Sequence, residues 1–428
     1  MNRFKTLKTS EKLMIIIVVI HLIVILVLFL KQEGKTPKEP LRPLPTFSKS
    51  IGVSIHPGLT EQDIQKINDA GINIVRIDIF WSSVEKTKGI YDFKGSGYDQ
   101  LNDLLTKYDI RPYYILAYEN PLYERQRSIV TDEGRTGFIN FVAATVDRYK
   151  GQNIIWEIWN EPNLETFWKP QPSIDEYSTL VKEVSPIIQQ KDPTGVIVAP
   201  ALAGIHEKSM EWLKQLFEEN ILNYIDAISV HPYRNNHPES ALYDYQVLRN
   251  LLSDYSDEDI PIISGEWGYS MHQKDNISIN EIEQASYLAR TFLINYMFEI
   301  PISIWYDWKN DGVDKNNKEH NFGLLWYDST PKLSFLSIQT LSKTLNGFKY
   351  IERIHTSNSE NYIIKFKNSN GKNIIVFWTT SKNKQDIKIP LKSGNGEVVS
   401  MLGAEHRLKW EKEVDLTLTS RPNYLLID

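Results

Sequence analysis

Between Ile51 and Trp305 eight short apolar runs alternate with longer amphipathic stretches, and no other feature of the chain narrows its fold so far. The runs are Ile51–Ile55, Ile72–Ile79, Arg111–Leu116, Asn153–Trp159, Gly195–Ala199, Ile225–Val230, Ile260–Ser264 and Ile302–Trp305. Runs this apolar suit parallel strands covered on both faces. The stretches between them, such as Thr60–Ala70, Gly137–Tyr149 and Ile282–Met297, carry helical spacing. Thr60 is a candidate N-cap with Asp63 as its capping-box partner, although Glu or Gln is commoner at that place. Eight consecutive βα units predict a TIM (β/α)8 barrel over residues 49–345. A doubly wound sheet would want a glycine-rich phosphate loop after the first strand, and Ile51-Gly52-Val53-Ser54-Ile55-His56-Pro57 has none.

The pattern changes after residue 345. Tyr362–Lys367, Asn373–Thr379, Asp386–Ile389, Glu397–Met401, Val414–Leu418 and Tyr424–Ile427 read as strands joined by Gly/Asn/Ser turns. Residues 346–428 are therefore expected to form a small antiparallel, sandwich-like β domain. At the other end, residues 13–30 read LMIIIVVIHLIVILVLFL, uncharged and broken only by His21. As a helix this stretch spans roughly 27 Å, close to the hydrocarbon thickness of a bilayer. No small-x-small cleavage site follows it, so it reads as an uncleaved signal-anchor behind a basic tail, residues 1–12. Residues 31–48 are charged, polar and Pro-rich, the composition of a tether.

The absence of cysteine excludes disulfides, thiolate metal sites and a Cys nucleophile. Net charge is −6, but residues 1–45 hold eight Lys/Arg against three Glu, which leaves the rest at −11. An acidic body argues against nucleic acid as partner. The 11 Trp and 22 Tyr suit a sugar-binding surface, though a large core also uses them.

In a TIM barrel the chemistry sits on the loops where strands end. The first run closes on His56. The second carries Arg76 and Asp78. The third ends in Tyr118-Glu119-Asn120 and the fourth in Asn160-Glu161. The sixth ends in His231-Pro232-Tyr233, the seventh in Glu266-Trp267 and the eighth in Trp305-Tyr306-Asp307-Trp308. Two strand-end glutamates, Glu161 and Glu266, lie on opposite sides of such a barrel. Glycoside cleavage needs two carboxyl groups across the scissile bond, one protonated and one ionised. Glu157 shares its parity along the strand with Glu161 and reads as a buried partner of a cation; Asp78 reads the same way.

Trp159-Asn160-Glu161-Pro162-Asn163 at the end of the fourth strand, with Arg76, His231-x-Tyr233, Glu266 and an eighth-strand Trp in order, resembles the retaining glycoside hydrolases of clan A. The closest look is to family 39, with exopolysaccharide hydrolases and β-xylosidases, and more distantly to family 5 cellulases. That resemblance implies Glu161 as general acid/base and Glu266 as nucleophile. It implies that Asn160 bonds the sugar 2-hydroxyl, that Arg76 keeps Glu266 ionised, that Tyr233 bonds and orients Glu266 and that His231 contacts that shell. Trp308 would floor the subsite of bond cleavage, with Trp305 as rival; Trp267 and His56 are further candidate substrate contacts. Family 5 enzymes carry a His at the end of strand three, where this chain has Tyr118-Glu119-Asn120. No metal or other cofactor is implied, and the spacing in Asp307–Asp314 is poor for a calcium loop. The expectation is a membrane-anchored enzyme, facing outside, whose partner is a polysaccharide. Transglycosylation, exo-action and non-catalytic glycan binding remain as alternatives.

Overall fold

The computed structural model describes Leu41, residues 44–273 and residues 279–428. The expected basic tail and membrane helix, residues 1–12 and 13–30, lie outside the described residues. Among those described, no helix is long and apolar enough to cross a membrane.

All eight apolar runs form strands: β1 Ile51–Ser54, β2 Ile74–Phe80, β3 Arg111–Ala117, β4 Ile155–Ile158, β5 Val196–Ala203, β6 Ala227–His231, β7 Ile262–Trp267 and β8 Ser303–Trp305. They pair in parallel and in sequence order, and β8 closes on β1. Side chains alternate across each strand. One set, including Ile74, Tyr113, Ile155, Val198, Ala227, Ile263 and Ile304, packs inside the barrel. The other set meets the helices in the larger core. The first helix, Glu61–Asp69, starts at the expected cap: the Thr60 side chain accepts from Asp63 N, and the Asp63 carboxylate accepts from Thr60 N.

The tether expectation needs correction at its C-terminal end. Phe47 is fully buried, 5.0 Å from the Tyr296 ring and 5.9 Å from Phe366. The Tyr296 hydroxyl donates to Pro45 O at 2.8 Å, and Leu41 packs with the barrel-interior residues. Burying a Phe side chain is worth about 1.5–3 kcal/mol, enough to order a short polar segment that composition alone leaves loose.

The C-terminal strands are β9 Phe348–Arg353, β10 Asn361–Asn368, β11 Asn373–Thr379, β12 Gln385–Pro390, β13 Gly394–Ser400, β14 Glu405–Trp410, β15 Glu413–Leu418 and β16 Asn423–Ile427. Six form one antiparallel sheet in the order β14-β13-β16-β11-β10-β9, and β12 pairs with β15. Ile363, Phe377 and Leu425 of the large sheet pack against Ile389 and Leu416 of the small one. Strands β9 and β14 escaped the sequence reading because they are the sheet edges. Their mostly exposed, charged residues carry little apolar alternation. Glu239 ties the two domains together: Arg290 Nε at 2.7 Å and Trp378 Nε1 at 2.6 Å both donate to its Oε1.

Candidate active site

Alternation along β2 puts Ile74 in the barrel interior and, two residues on, Arg76 above it. Arg76 is 2% exposed, and its guanidinium is the hub of the rim. Nε donates to Glu157 Oε2 at 2.8 Å, and Nη2 lies 2.7 Å from the same oxygen. Nη1 donates to Glu266 Oε2 at 2.6 Å, and Nη2 to Asn160 Oδ1 at 2.8 Å. Glu157 is fully buried and also accepts from the Tyr113 hydroxyl at 2.7 Å, so it is the expected buried partner of a cation. Asp78 meets that expectation in part: it lies within the pull of Arg76 but is less well satisfied. Its Oδ1 is buried without a hydrogen-bond partner, and burial pushes its pKa up to about 6.

Two irregular strand ends aim the glutamates. Along β7, parity with Ile263 would turn Glu266 outward. A register shift between Ser264 and Trp267 breaks the alternation and faces Glu266 into the cleft. Gly265 suits that bend, since a Cβ there would lie 2.2 Å from Ser229 Oγ. Tyr233 then donates to Glu266 Oε1 at 2.8 Å. At the end of β4, Trp159 and Glu161 adopt φ of 69° and 48°, the left-handed region that costs non-glycine residues about 1–3 kcal/mol each. The surroundings over-determine this shape. Glu161 N donates to Ala201 O at 3.1 Å, and Trp159 Nε1 to Phe167 O at 2.9 Å. The Asn163 amide pairs both ways with Ala203, at 3.0 and 2.9 Å.

His231 lies between Arg76 and Glu161. Its Nε2 is 3.3 Å from Arg76 Nη2, and its Nδ1 is 2.8 Å from Glu161 Oε1. A guanidinium can only donate, so Nε2 is the acceptor and Nδ1 carries the proton that Glu161 receives as a hydrogen bond. Burial lowers the His231 pKa to about 4, so the ring is neutral at pH 7. Burial raises the Glu161 pKa to about 7, against the opposing pull of Arg76 and Lys318. With Oε1 engaged by His231, Oε2 is left to hold the proton. An oxygen of Glu161 lies within 4.8 Å of one of Glu266. Such a pair can serve as proton donor and nucleophile on one bond. Because Arg76 also fixes the Asn160 oxygen, the Asn160 Nδ2 donor is left for a ligand.

Six of the ten residues singled out in the sequence thus meet in one cleft: Arg76, Asn160, Glu161, His231, Tyr233 and Glu266. The three indoles do not. Trp267, Trp305 and Trp308 are at most 1% exposed. Trp305 follows inward-facing Ile304 and so points into the outer core, near Tyr269 at 6.4 Å. Trp267 lies beneath Arg234, and Trp308 packs on Phe335. The same parity sends Tyr306, absent from the expected site, toward the mouth. Its ring is edge-on to Phe322, which in turn meets Tyr233. The count of two from Ile304 was a usable signal for Tyr306; nothing in the sequence marks Lys318, whose ammonium lies 5.5 Å over the Tyr233 ring. His56 sits to one side, its Nε2 3.4 Å from the Tyr306 hydroxyl.

Comparison with known proteins bears on the family and the fold. Residues 35–312 match the sequence model of the family described as "Cellulase (glycosyl hydrolase family 5)". Endoglucanase A of Butyrivibrio fibrisolvens is 26% identical over 238 residues, 51% of this chain and 47% of that protein. A beta-xylosidase of Geobacillus stearothermophilus is 28% identical over 111 residues, 24% of this chain and 21% of the relative. The chain therefore spans less than half the length of either. In fold it is similar to a family 39 glycoside hydrolase of Bacteroides cellulosilyticus, with TM-score 0.78 and 24% identity, covering 90% of this chain and 82% of that one. A family 39 beta-xylosidase of Caulobacter crescentus gives TM-score 0.66 and 15% identity, over 91% and 98%. With its eight-stranded barrel and the residues gathered at its rim, the chain belongs to the family Cellulase (glycosyl hydrolase family 5), within the glycoside hydrolases of clan A.

Proposed function

We propose that the chain is a retaining glycoside hydrolase that cleaves a polysaccharide internally by double displacement. The observation that carries this reading is the pair of carboxyl groups with an oxygen of each within 4.8 Å of the other, one group held by Arg76 and Tyr233, the other raised to about 7 beside a neutral imidazole. Inverting enzymes leave room for a water, with the groups about 6.5–9.5 Å apart, whereas retaining pairs sit about 5–5.5 Å apart. In the first step Glu266 attacks the anomeric carbon while the Glu161 Oε2–H protonates the departing oxygen. In the second, Glu161, now ionised, takes a proton from water as it displaces Glu266. Asn160 Nδ2 meets the sugar hydroxyl next to the reacting carbon.

The substrate we infer is an exopolysaccharide or cell-surface glycan, reached by a catalytic domain held outside the membrane by residues 13–30. The apolar 18-residue stretch and the Pro-rich segment after it support this placement. Similarity to a beta-xylosidase over 111 residues favours a second reading, removal of single residues from chain ends. Incubating the purified chain with a panel of polysaccharides and weighing the products decides between them. Internal cleavage yields a ladder of oligosaccharides at early times. Release of monosaccharide alone sinks the endo reading. Proton NMR of the first product tests retention, which requires the anomer of the substrate to appear before mutarotation.

A further inference from the structure

Where β1 and β8 end, a second cluster of metal-type donors stands apart from the two glutamates. Asp307 is fully buried, yet neither of its carboxylate oxygens has a hydrogen-bond partner. Its Oδ2 lies 3.5 Å from His56 Nε2, and Asp311 Oδ1 lies 3.5 Å from the same nitrogen. All three donor atoms fall within 4.8 Å of one another. We propose that His56, Asp307 and Asp311 form a binding site for a divalent transition-metal ion of the zinc or manganese class.

Three observations carry the assignment. First, donors around a tetrahedral ion with bonds of about 2.1 Å are about 3.4 Å apart, close to the two 3.5 Å separations found here. Second, a protonated imidazole does not satisfy the cluster. One Nε2–H can serve one oxygen, while Asp307, Asp311 and the Tyr306 hydroxyl all crowd the same nitrogen. A buried carboxylate with no hydrogen bond to either oxygen and only one long contact, to His56, is costly, and an ion between the three groups removes that cost. Lys332, the nearby buried cation, gives its hydrogen bond to Asn310, at 2.7 Å, and acts on Asp307 only through its charge. Third, His56 and Asp311 are 46% and 35% exposed, so an ion can enter and keep water in its remaining positions. One nitrogen and two carboxylates suit zinc or manganese; calcium prefers six to eight oxygens. The ion would clamp the end of β1 to the loop after β8 and fix Tyr306 at the cleft wall. The site stands whether or not the cleft is hydrolytic.

The test is calorimetric. The full chain, free of any polyhistidine tag, is stripped with EDTA, dialysed, and titrated with zinc chloride and, separately, manganese chloride. One equivalent of zinc or manganese is expected to bind and to raise the melting temperature. Asp311→Asn and His56→Ala, both at exposed side chains, should each weaken binding tenfold or more. If one variant fails to keep the wild-type circular dichroism, the other decides. Absence of binding by both ions overturns the proposal, as does undiminished affinity in the folded variants. Loss of binding in Glu161→Gln, with Asp311→Asn unaffected, also overturns it, because the ion would then sit in the cleft.

Discussion

Replacing Glu161 by Gln keeps its shape and removes its proton. An ordinary glutamic acid, pKa 4.5, would be protonated in about one molecule in 300 at pH 7. At a pKa of about 7 half the molecules carry the proton. The gain in acid form is about 150-fold, or about 3 kcal/mol. The wild-type rate, read as kcat/KM, should therefore fall above pH 7 as Glu161 loses its proton, about tenfold per pH unit. Glu161→Gln has no such group, so its alkaline limb near pH 7 should vanish. Its kcat/KM on a polysaccharide should fall by about 10²–10⁴, the usual worth of a positioned acid. Bond cleavage in an aryl glycoside with an acidic phenol needs little protonation, so the burst of phenol in its first turnover should survive. The assay is a pH series from 5 to 9 on both substrates, with stopped-flow detection of the phenol. A variant that keeps the limb near pH 7, or loses the phenol burst as fully as it loses polymer cleavage, refutes the assignment of Glu161 as acid.

Arg76→Met strips the counter-cation from Glu157 and Glu266 and should cost about 3–5 kcal/mol of stability at pH 7.5, read by urea unfolding. Arg76 also restrains the pKa values of Glu161 and Asp78, so both rise further in the variant. Groups that bind protons more tightly when folded favour the fold at low pH, so the deficit should shrink at pH 5. Asn163→Ala removes two hydrogen bonds to Ala203 and should cost about 1–3 kcal/mol, with kcat falling more than KM rises; unchanged kcat would separate the loop from the chemistry. Burial alone would push Glu239 up, but Arg290 and His237 outweigh it and hold its pKa at about 2. A depressed carboxyl contributes above its unfolded pKa. The contribution, about 3 kcal/mol, should be present above pH 4.5 and fade as pH falls toward 2. The urea midpoints of wild type and Glu239→Gln should converge over that window.

The barrel was legible because its strands are buried on both faces and read as unbroken apolar runs, while β9 and β14, exposed edges, gave no such signal. In the site, residues at regular positions could be counted from the strand. Arg76, Glu157 and His231 follow the inward parity of Ile74, Ile155 and Ala227. Counting failed where the end of a strand was unknown. Strand β8 stops at Trp305, so its inward ring is Tyr306 and the indoles on either side serve the core. The His56–Asp307–Asp311 cluster was invisible for a different reason. His56 and Asp307 stand some 250 residues apart, and only the closure of β8 on β1 brings them together.

One cation serves two carboxyl groups differently because of what stands between them. Arg76 reaches Glu266 directly at 2.6 Å, but His231 separates it from the Glu161 carboxyl. A neutral ring passes on a hydrogen bond without a charge. Were His231 cationic, it would favour the ionised form of Glu161 and spoil the acid. Burial keeps the ring neutral by lowering its pKa to about 4, and the same burial raises Glu161 to about 7. Enclosure of this corner of the rim thus both raises the proposed acid and keeps its imidazole partner neutral, while Arg76 pulls on Glu161 only from beyond that ring. The left-handed turn at Trp159 and Glu161, pinned by Asn163, carries the Glu161 carboxyl into that corner. Opening the corner to water, by Trp168→Ala behind Trp159, should let the Glu161 pKa fall and move the alkaline limb of the rate profile below pH 7. A limb that stays at pH 7 while the variant remains folded would mean that enclosure is not what sets the acid.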